Sequence, residues 1–101
     1  MAIVGTHRDL FKCKKEHIGL ILLGIFLETG LLTVELDEAE EARLRKMFGG
    51  NPGVDSLHHR FVSAALENGL EHQIDDWNFS SNSHRRRISV YDPSRIKNPP
   101  F

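Results

Sequence analysis

The sequence predicts a single compact α+β domain with about three helices, a short strand before the second helix and a C-terminal β-hairpin. A chain of 101 residues is long enough for one domain with one modest core. Two stretches between residues 37 and 68 have helical periodicity with a start and a stop signal. Two short stretches of β-prone residues follow after residue 73, separated by a polar segment.

The first element covers Lys15–Glu28 and includes the apolar run "IGLILLGIFL", Ile18–Leu27. The run is apolar on every side, so it is either a fully buried helix or a buried strand that turns at Thr29 and Gly30. Its length and leucine content favour a helix that stops at Gly30. Because a membrane-spanning helix needs about 20 apolar residues, we expect the run to be core and the protein to have no membrane contact.

A strand and the second helix follow directly. In Leu31–Leu36, apolar residues alternate with polar ones, which indicates a strand with one buried face. Asp37 and Glu40 have the spacing of a capping box, and Glu41 and Arg45 are placed to form an i,i+4 ion pair. The predicted buried side of this helix consists of Ala39, Ala42 and Met47, with Leu44 and Phe48.

The third helix follows the turn sequence "GGNPG", and Asp55 or Ser56 is predicted to cap its start. It is predicted to end at Asn68 and Gly69. Its predicted core stripe is Leu57, Phe61, Ala64 and Ala65, widened by Val62 and Leu66. The hairpin is predicted within Gln73–Tyr91, with "IDDWNF" and "RISVY" as strands joined by "SSNSH". Residues 1–92 are then the globular domain, and residues 93–101 are an extended or disordered tail.

Composition limits the function. The 13 basic and 14 acidic residues give a net charge of −1, which argues against a dedicated polyanion binder. The only cysteine, Cys13, cannot form a disulfide within the chain, and this favours a cytoplasmic protein. Cys13 lies between two lysines, which lower a thiol pKa, but no catalytic signature surrounds it and we interpret it as an ordinary side chain.

The sequence contains no pattern that predicts catalysis. The adjacent Asp75 and Asp76 would point to opposite faces of a strand, so they make a poor general acid/base pair. His58, His59 and His72 lack the spacing of a zinc site. We therefore expect no catalytic residues, no metal and no cofactor, and a protein that is not an enzyme.

Arginines and aromatic residues coincide in the hairpin. The predicted partner-binding residues are Trp77, Phe79, Arg85, Arg86, Arg87 and Tyr91. Arginine and aromatic side chains are enriched where binding energy concentrates, so we expect a protein partner or self-association as a homodimer. Nucleic acid is the alternative partner, and a third interpretation is a solvated edge protected by charge.

Two resemblances support the nucleic-acid alternative. "LLTVELDEAEEARLRKMF" followed by "VDSLHHRFVSAALENGLE" resembles the strand–helix–helix order of ribbon-helix-helix repressors, over Leu31–Glu71. It implies a strand that pairs with its twin in a dimer and presents Leu31, Thr33 and Glu35 to DNA. The chain also resembles a winged helix, with "SSNSHRRR" as the wing. That resemblance implies that the helix Ser56–Asn68 reads bases through His58, His59 and Arg60.

Overall fold

A computed structural model describes residues 2–3 and 14–98, and Cys13 lies outside this part of the chain. The described elements are β1 (Ala2–Ile3), α1 (Lys15–Thr29), β2 (Leu31–Glu35), α2 (Glu38–Met47), α3 (Gly53–Glu67), α4 (Glu71–Ile74), β3 (Asn78–Asn82) and β4 (Arg87–Tyr91). The predicted α+β class, the strand before the second long helix and the C-terminal hairpin are confirmed. The single-turn helix α4 adds to the three helices expected. Every helix in the described residues is too short or too polar to cross a bilayer.

The four described strands form one antiparallel sheet in the order β1-β2-β4-β3. Strand β2 pairs with β1 on one edge and with β4 on the other. The strand expected to pair with a twin is therefore occupied on both edges within its own chain. This overturns the feature on which the ribbon-helix-helix resemblance depends, because a strand has only two hydrogen-bonding edges.

Helix α1 confirms the helical interpretation of the apolar run. It ends where Gly30 adopts a left-handed φ of 78° and donates its N–H to the carbonyl of Phe26. The expectation of a fully buried helix is wrong, since Leu20 and Leu27 are 54% and 46% exposed. The side of α1 that packs into the core carries the buried residues Ile18, Gly19, Leu22, Leu23 and Phe26, with Ile21 and Ile25 partly buried beside them.

The buried side of α1 packs closely against α3. A Cβ added at Gly19 would overlap the backbone carbonyl of Arg60 and touch the side chain of Ala64. No side chain larger than hydrogen fits there unless the two helices move apart. Gly24 is exposed on the same helix, and a Cβ at that position would meet nothing within 4 Å.

Helix α2 has the predicted capping box. Asp37 accepts a hydrogen bond from the backbone N–H of Glu40, and the Glu40 carboxylate accepts one from the backbone N–H of Asp37. The bond from the Glu40 N–H lowers the pKa of Asp37. The predicted buried side is confirmed for Leu44 and wrong for Ala39 and Ala42, which are exposed. Glu41, which was not predicted to be buried, is buried instead.

Glu41 is buried because it connects α2 to the start of α3. Its carboxylate accepts the backbone N–H of Gly53 at 2.9 and 3.1 Å and the Nε of Arg45 at 2.8 Å, which confirms the predicted i,i+4 pair. A Cβ at Gly53 would collide with this carboxylate. Since Pro52 offers no side-chain cap to α3, Glu41 supplies the acceptor from another helix.

The N-cap of α3 is Pro52 and not the predicted Asp55 or Ser56, so the helix starts earlier, at Gly53, whose backbone N–H donates to the Glu41 carboxylate. The predicted core stripe is confirmed. Leu66 is 51% exposed, however, so it does not widen that stripe. The helix ends at Glu67, before the left-handed Gly69, near the predicted stop.

The segment after β4 is held against α1 as far as it is described. The guanidinium of Arg95 donates to the carbonyls of Leu27 and Glu28 at 2.7 and 2.9 Å. A cation at these positions satisfies C-terminal carbonyls of α1 and complements the helix dipole. The expected division between domain and tail at residue 92 stays a prediction.

Two glycines of α1 provide a paired test of helix packing. We expect Gly19→Ala to lower the free energy of unfolding by about 1–3 kcal/mol, because the new methyl group forces α1 away from Arg60. We expect Gly24→Ala to raise it by about 0.5–1 kcal/mol, because alanine is the better helix former at an open position. Urea unfolding of both variants measures the difference, and equal effects would contradict the close approach at Gly19.

Candidate functional site

Five of the six predicted partner-binding residues lie in the hairpin formed by β3 and β4, and the sixth directly precedes it, but the six do not share one surface. Trp77 lies just before β3 and is only 8% exposed. Its ring packs against Phe26 at a centroid distance of 4.5 Å and against Phe61 at 5.9 Å. Trp77 therefore belongs to the core, and its assignment to an exposed binding surface is corrected. It buries its large ring where α1, α3 and the hairpin meet.

Phe79 also faces the helices. Its ring stacks on the imidazole of His58 at 4.7 Å and meets Phe61 edge-on at 5.9 Å. Because side chains alternate along a strand, Phe79 and Val90, its neighbour in register, share the helix-covered face of the sheet. Phe79 and Trp77 thus anchor the root of the hairpin on α3, and Phe79 stays only partly accessible.

The turn between the strands is held by Arg86. This residue adopts a left-handed φ of 54°, which is uncommon for a side chain of its size. Its Nε donates to the carbonyl of Leu36 at 2.9 Å, and its own carbonyl accepts the backbone N–H of Leu36. Two hydrogen bonds therefore tie the turn to the end of β2, so Arg86 has a structural contact in addition to its charge.

Arg85 and Arg87 have different surroundings. The side chain of Arg85 is exposed, and only its backbone N–H is engaged, by the side chain of Asn82 at 3.1 Å. Arg87 is half-buried on the outer face of the sheet, opposite Glu35 in register. No described residue accepts a hydrogen bond from its Nε, which is buried.

The outer face of the sheet carries three rows of side chains that cross β2, β4 and β3. The middle row is Thr33, Ser89 and Ser80, and the hydroxyl of Ser89 donates to that of Thr33 at 3.3 Å. On one side of it is the row of Leu31, Tyr91 and Asn78. On the other side is the row of Glu35, Arg87 and Asn82. Tyr91 is thus on the face opposite to Trp77 and Phe79, and the six predicted residues divide between the core, the turn and this outer face.

We use the term arginine tip for Arg85, Arg86 and Arg87. Within residues 14–98, none of the three forms an ion pair. Acidic residues lie near the tip through contacts between distant segments: Glu35 pairs with Arg87 across the strands, and Asp37 follows Leu36, to which Arg86 is hydrogen-bonded. The tip is therefore a basic surface with an acidic border.

The histidines do not converge. A cleft of about 540 Å³ between α2 and α3 is lined by His59 and Arg60 together with Asp55, but not by His58 or His72. The guanidinium of Arg60 lies over the ring of Phe48 at 5.2 Å. Across the described residues, no group of three or more His, Cys, Asp or Glu side chains could hold a metal ion.

Sequence reasoning missed two features of the hairpin. It placed Ser80 and Ser81 in the connecting loop, whereas both lie in β3 and the turn starts at Ser83. It also missed the contact between Arg86 and Leu36, which are 50 residues apart. The weak alternation in "NFSSN" was the only signal for the strand, and no local signal marks the contact.

Comparison with known proteins adds no assignment. No family model matches the chain, and no curated protein and no solved structure matches it either.

The stack of His58 on Phe79 predicts a pH-dependent stability. Burial lowers the pKa of His58 below its usual 6.5, against the opposing effect of Asp55. The unfolded chain then binds a proton more readily than the folded chain, so the free energy of unfolding falls as the pH drops through about 6.5. We expect His58→Phe to keep the ring contact with Phe79 and to weaken the dependence of the free energy of unfolding on pH, measured by urea titration at several pH values. His72→Gln, at an exposed histidine of α4 that does not act on His58, is the control. An unchanged dependence of the free energy of unfolding on pH in His58→Phe would refute the assignment.

Proposed function

We propose that the protein is a non-enzymatic binding domain that holds the acidic surface of a protein partner at the arginine tip. The observation that carries this proposal is the lack of an ion pair for Arg85, Arg86 and Arg87 among the described residues. Arginine forms strong charge-assisted bonds with carboxylates, and it is enriched in the energetic centres of protein interfaces. The single cysteine supports a cytoplasmic setting for this binding.

The acidic border of the tip favours a protein partner over a nucleic acid. Glu35 lies opposite Arg87, and α2 begins beside the turn with acidic residues in its first helical turn. A continuous phosphate backbone would meet repulsion from these carboxylates. A protein surface can place carboxylates at the arginines and basic or neutral groups at the border.

Arg85 is the residue with which to test this proposal. No described residue forms a hydrogen bond or an ion pair with its side chain, and the hydrogen bond to Asn82 comes from its backbone N–H, which Arg85→Glu retains. Arg86 is less suitable because its side chain also holds the turn to Leu36. We expect Arg85→Glu to weaken binding of a protein captured from the source cell by about tenfold or more, because a charge-assisted bond becomes a repulsion.

The control variant is Lys46→Glu, which makes the same charge reversal at an exposed position of α2. Proteins captured by the unmodified chain would be identified, and their affinity for each variant measured by titration calorimetry. A partner retained by Lys46→Glu and lost by Arg85→Glu supports the proposal. Equal affinity of both variants for every captured partner would contradict it.

A second candidate function is binding of duplex DNA, in the manner of a winged helix. The helix pair α2 and α3 is followed by the hairpin, and β2 completes a sheet with that hairpin, which is the element order of this resemblance. The hairpin would be the wing and α3 the helix in the major groove. The outward side of α3 carries Asp55, His59 and Leu66, so the cations for phosphate contact would come from the arginine tip.

Salt dependence separates the two candidates. If the arginine tip binds phosphates, affinity for random duplex DNA should fall by about tenfold or more between about 50 and 200 mM salt, because bound counterions are released. Fluorescence anisotropy with a labelled duplex measures this slope, and Arg85→Glu should reduce it. Absence of binding at the lower salt concentration would eliminate the DNA function.

A further inference from the structure

Among the described strands, β3 forms an edge of the sheet and carries neither charge nor proline as protection. It pairs with β4 on one side, and no described strand pairs with its other side. Its five residues, Asn78–Asn82, include no charged residue and no proline. Natural proteins usually protect such edges with charge, proline or a covering segment, because an open row of N–H and C=O groups pairs readily with another strand.

The charges on either side of β3 point to a specific occupant. Asp75 and Asp76 precede the strand, and His84 and Arg85 follow it in the turn; all four side chains are exposed. Two parallel copies of β3 would bring like charges together. Two antiparallel copies bring the acidic end of each strand to the basic end of the other, and this happens twice in a two-fold dimer.

We infer that β3 pairs antiparallel with β3 of a second copy of the chain, centred on Ser80. In this register all five residues of each strand pair, with Asn78 opposite Asn82 of the second copy and Phe79 opposite Ser81 of the second copy. The turn with Asp75 and Asp76, just before each strand, then lies near the turn with His84 and Arg85 of the second copy. The pairing joins two four-stranded sheets into one of eight strands, with the helices of both copies on the same face.

The inferred pairing goes beyond the proposed function, because it uses the edge of β3 and needs no other protein. The β3 pairing and partner binding by the arginine tip both involve Arg85, but separate experiments measure them. Self-association is tested with the purified chain alone, whereas partner binding by the arginine tip is tested with the Ser80 variants. If these variants stay monomeric and still bind the partner, partner binding does not depend on the dimer.

The two-fold axis beside Ser80 gives a decisive test. Ser80 is exposed on the outer face, so a charged residue fits in the monomer but meets its own copy across the axis. We expect Ser80→Lys and Ser80→Glu each to weaken the dimer by about tenfold or more, and an equal mixture of the two to restore it as a mixed dimer. Analytical ultracentrifugation over a range of concentrations measures the masses, with Asn98→Lys as the exposed control. Restoration by mixing also shows that both variants are folded.

Two results would overturn the inference. One is a monomer mass for the unmodified chain at every concentration. The other is a dimer that Ser80→Lys leaves as stable as the unmodified one, because a charge repeated across the axis must weaken an interface centred on that residue.

Discussion

Helices α1 and α3 meet where Gly19 presents no side chain and the backbone carbonyl of Arg60 occupies the space a Cβ would need. This contact places both helices in one layer over the sheet. The inner faces of β2 and β4 then bury Leu32, Val34, Ile88 and Val90 against that layer. Because interiors are close-packed, a shift of one helix would disturb every residue of this core.

The position of the hairpin follows from the same packing. At its root, Trp77 and Phe79 are fixed by aromatic contacts with α1 and α3. At its turn, Arg86 is fixed by hydrogen bonds to Leu36. Arg85 therefore lies on a β-hairpin that is held in place at both its root and its turn. A side chain on a rigid element loses less conformational entropy when it binds a partner.

Charge is used differently in the two halves of the fold. Between α2 and α3, the buried carboxylate of Glu41 is fully engaged by Gly53 and Arg45, so it holds the helices together. Around the hairpin, the arginine tip has no ion pair within the described chain, and the flanking Asp75 and Asp76 are exposed. A charge satisfied internally stabilises the fold, whereas exposed charges of both signs suit association with another surface.

The sequence by itself determined the local elements. These are the stop at Gly30, the alternation in β2, the capping box at Asp37 and the core stripe of α3. Each depends on residues that lie within about four positions of the next one in the pattern. The C-terminal hairpin was also recognisable from the sequence. Only the tertiary structure decided that Trp77 and Phe79 face the helices, that Glu41 and not Ala42 is buried, and that β2 is paired on both edges. These outcomes depend on contacts between segments far apart in the chain, such as Arg86 with Leu36, and no local pattern of residues encodes which distant surface a side chain will meet.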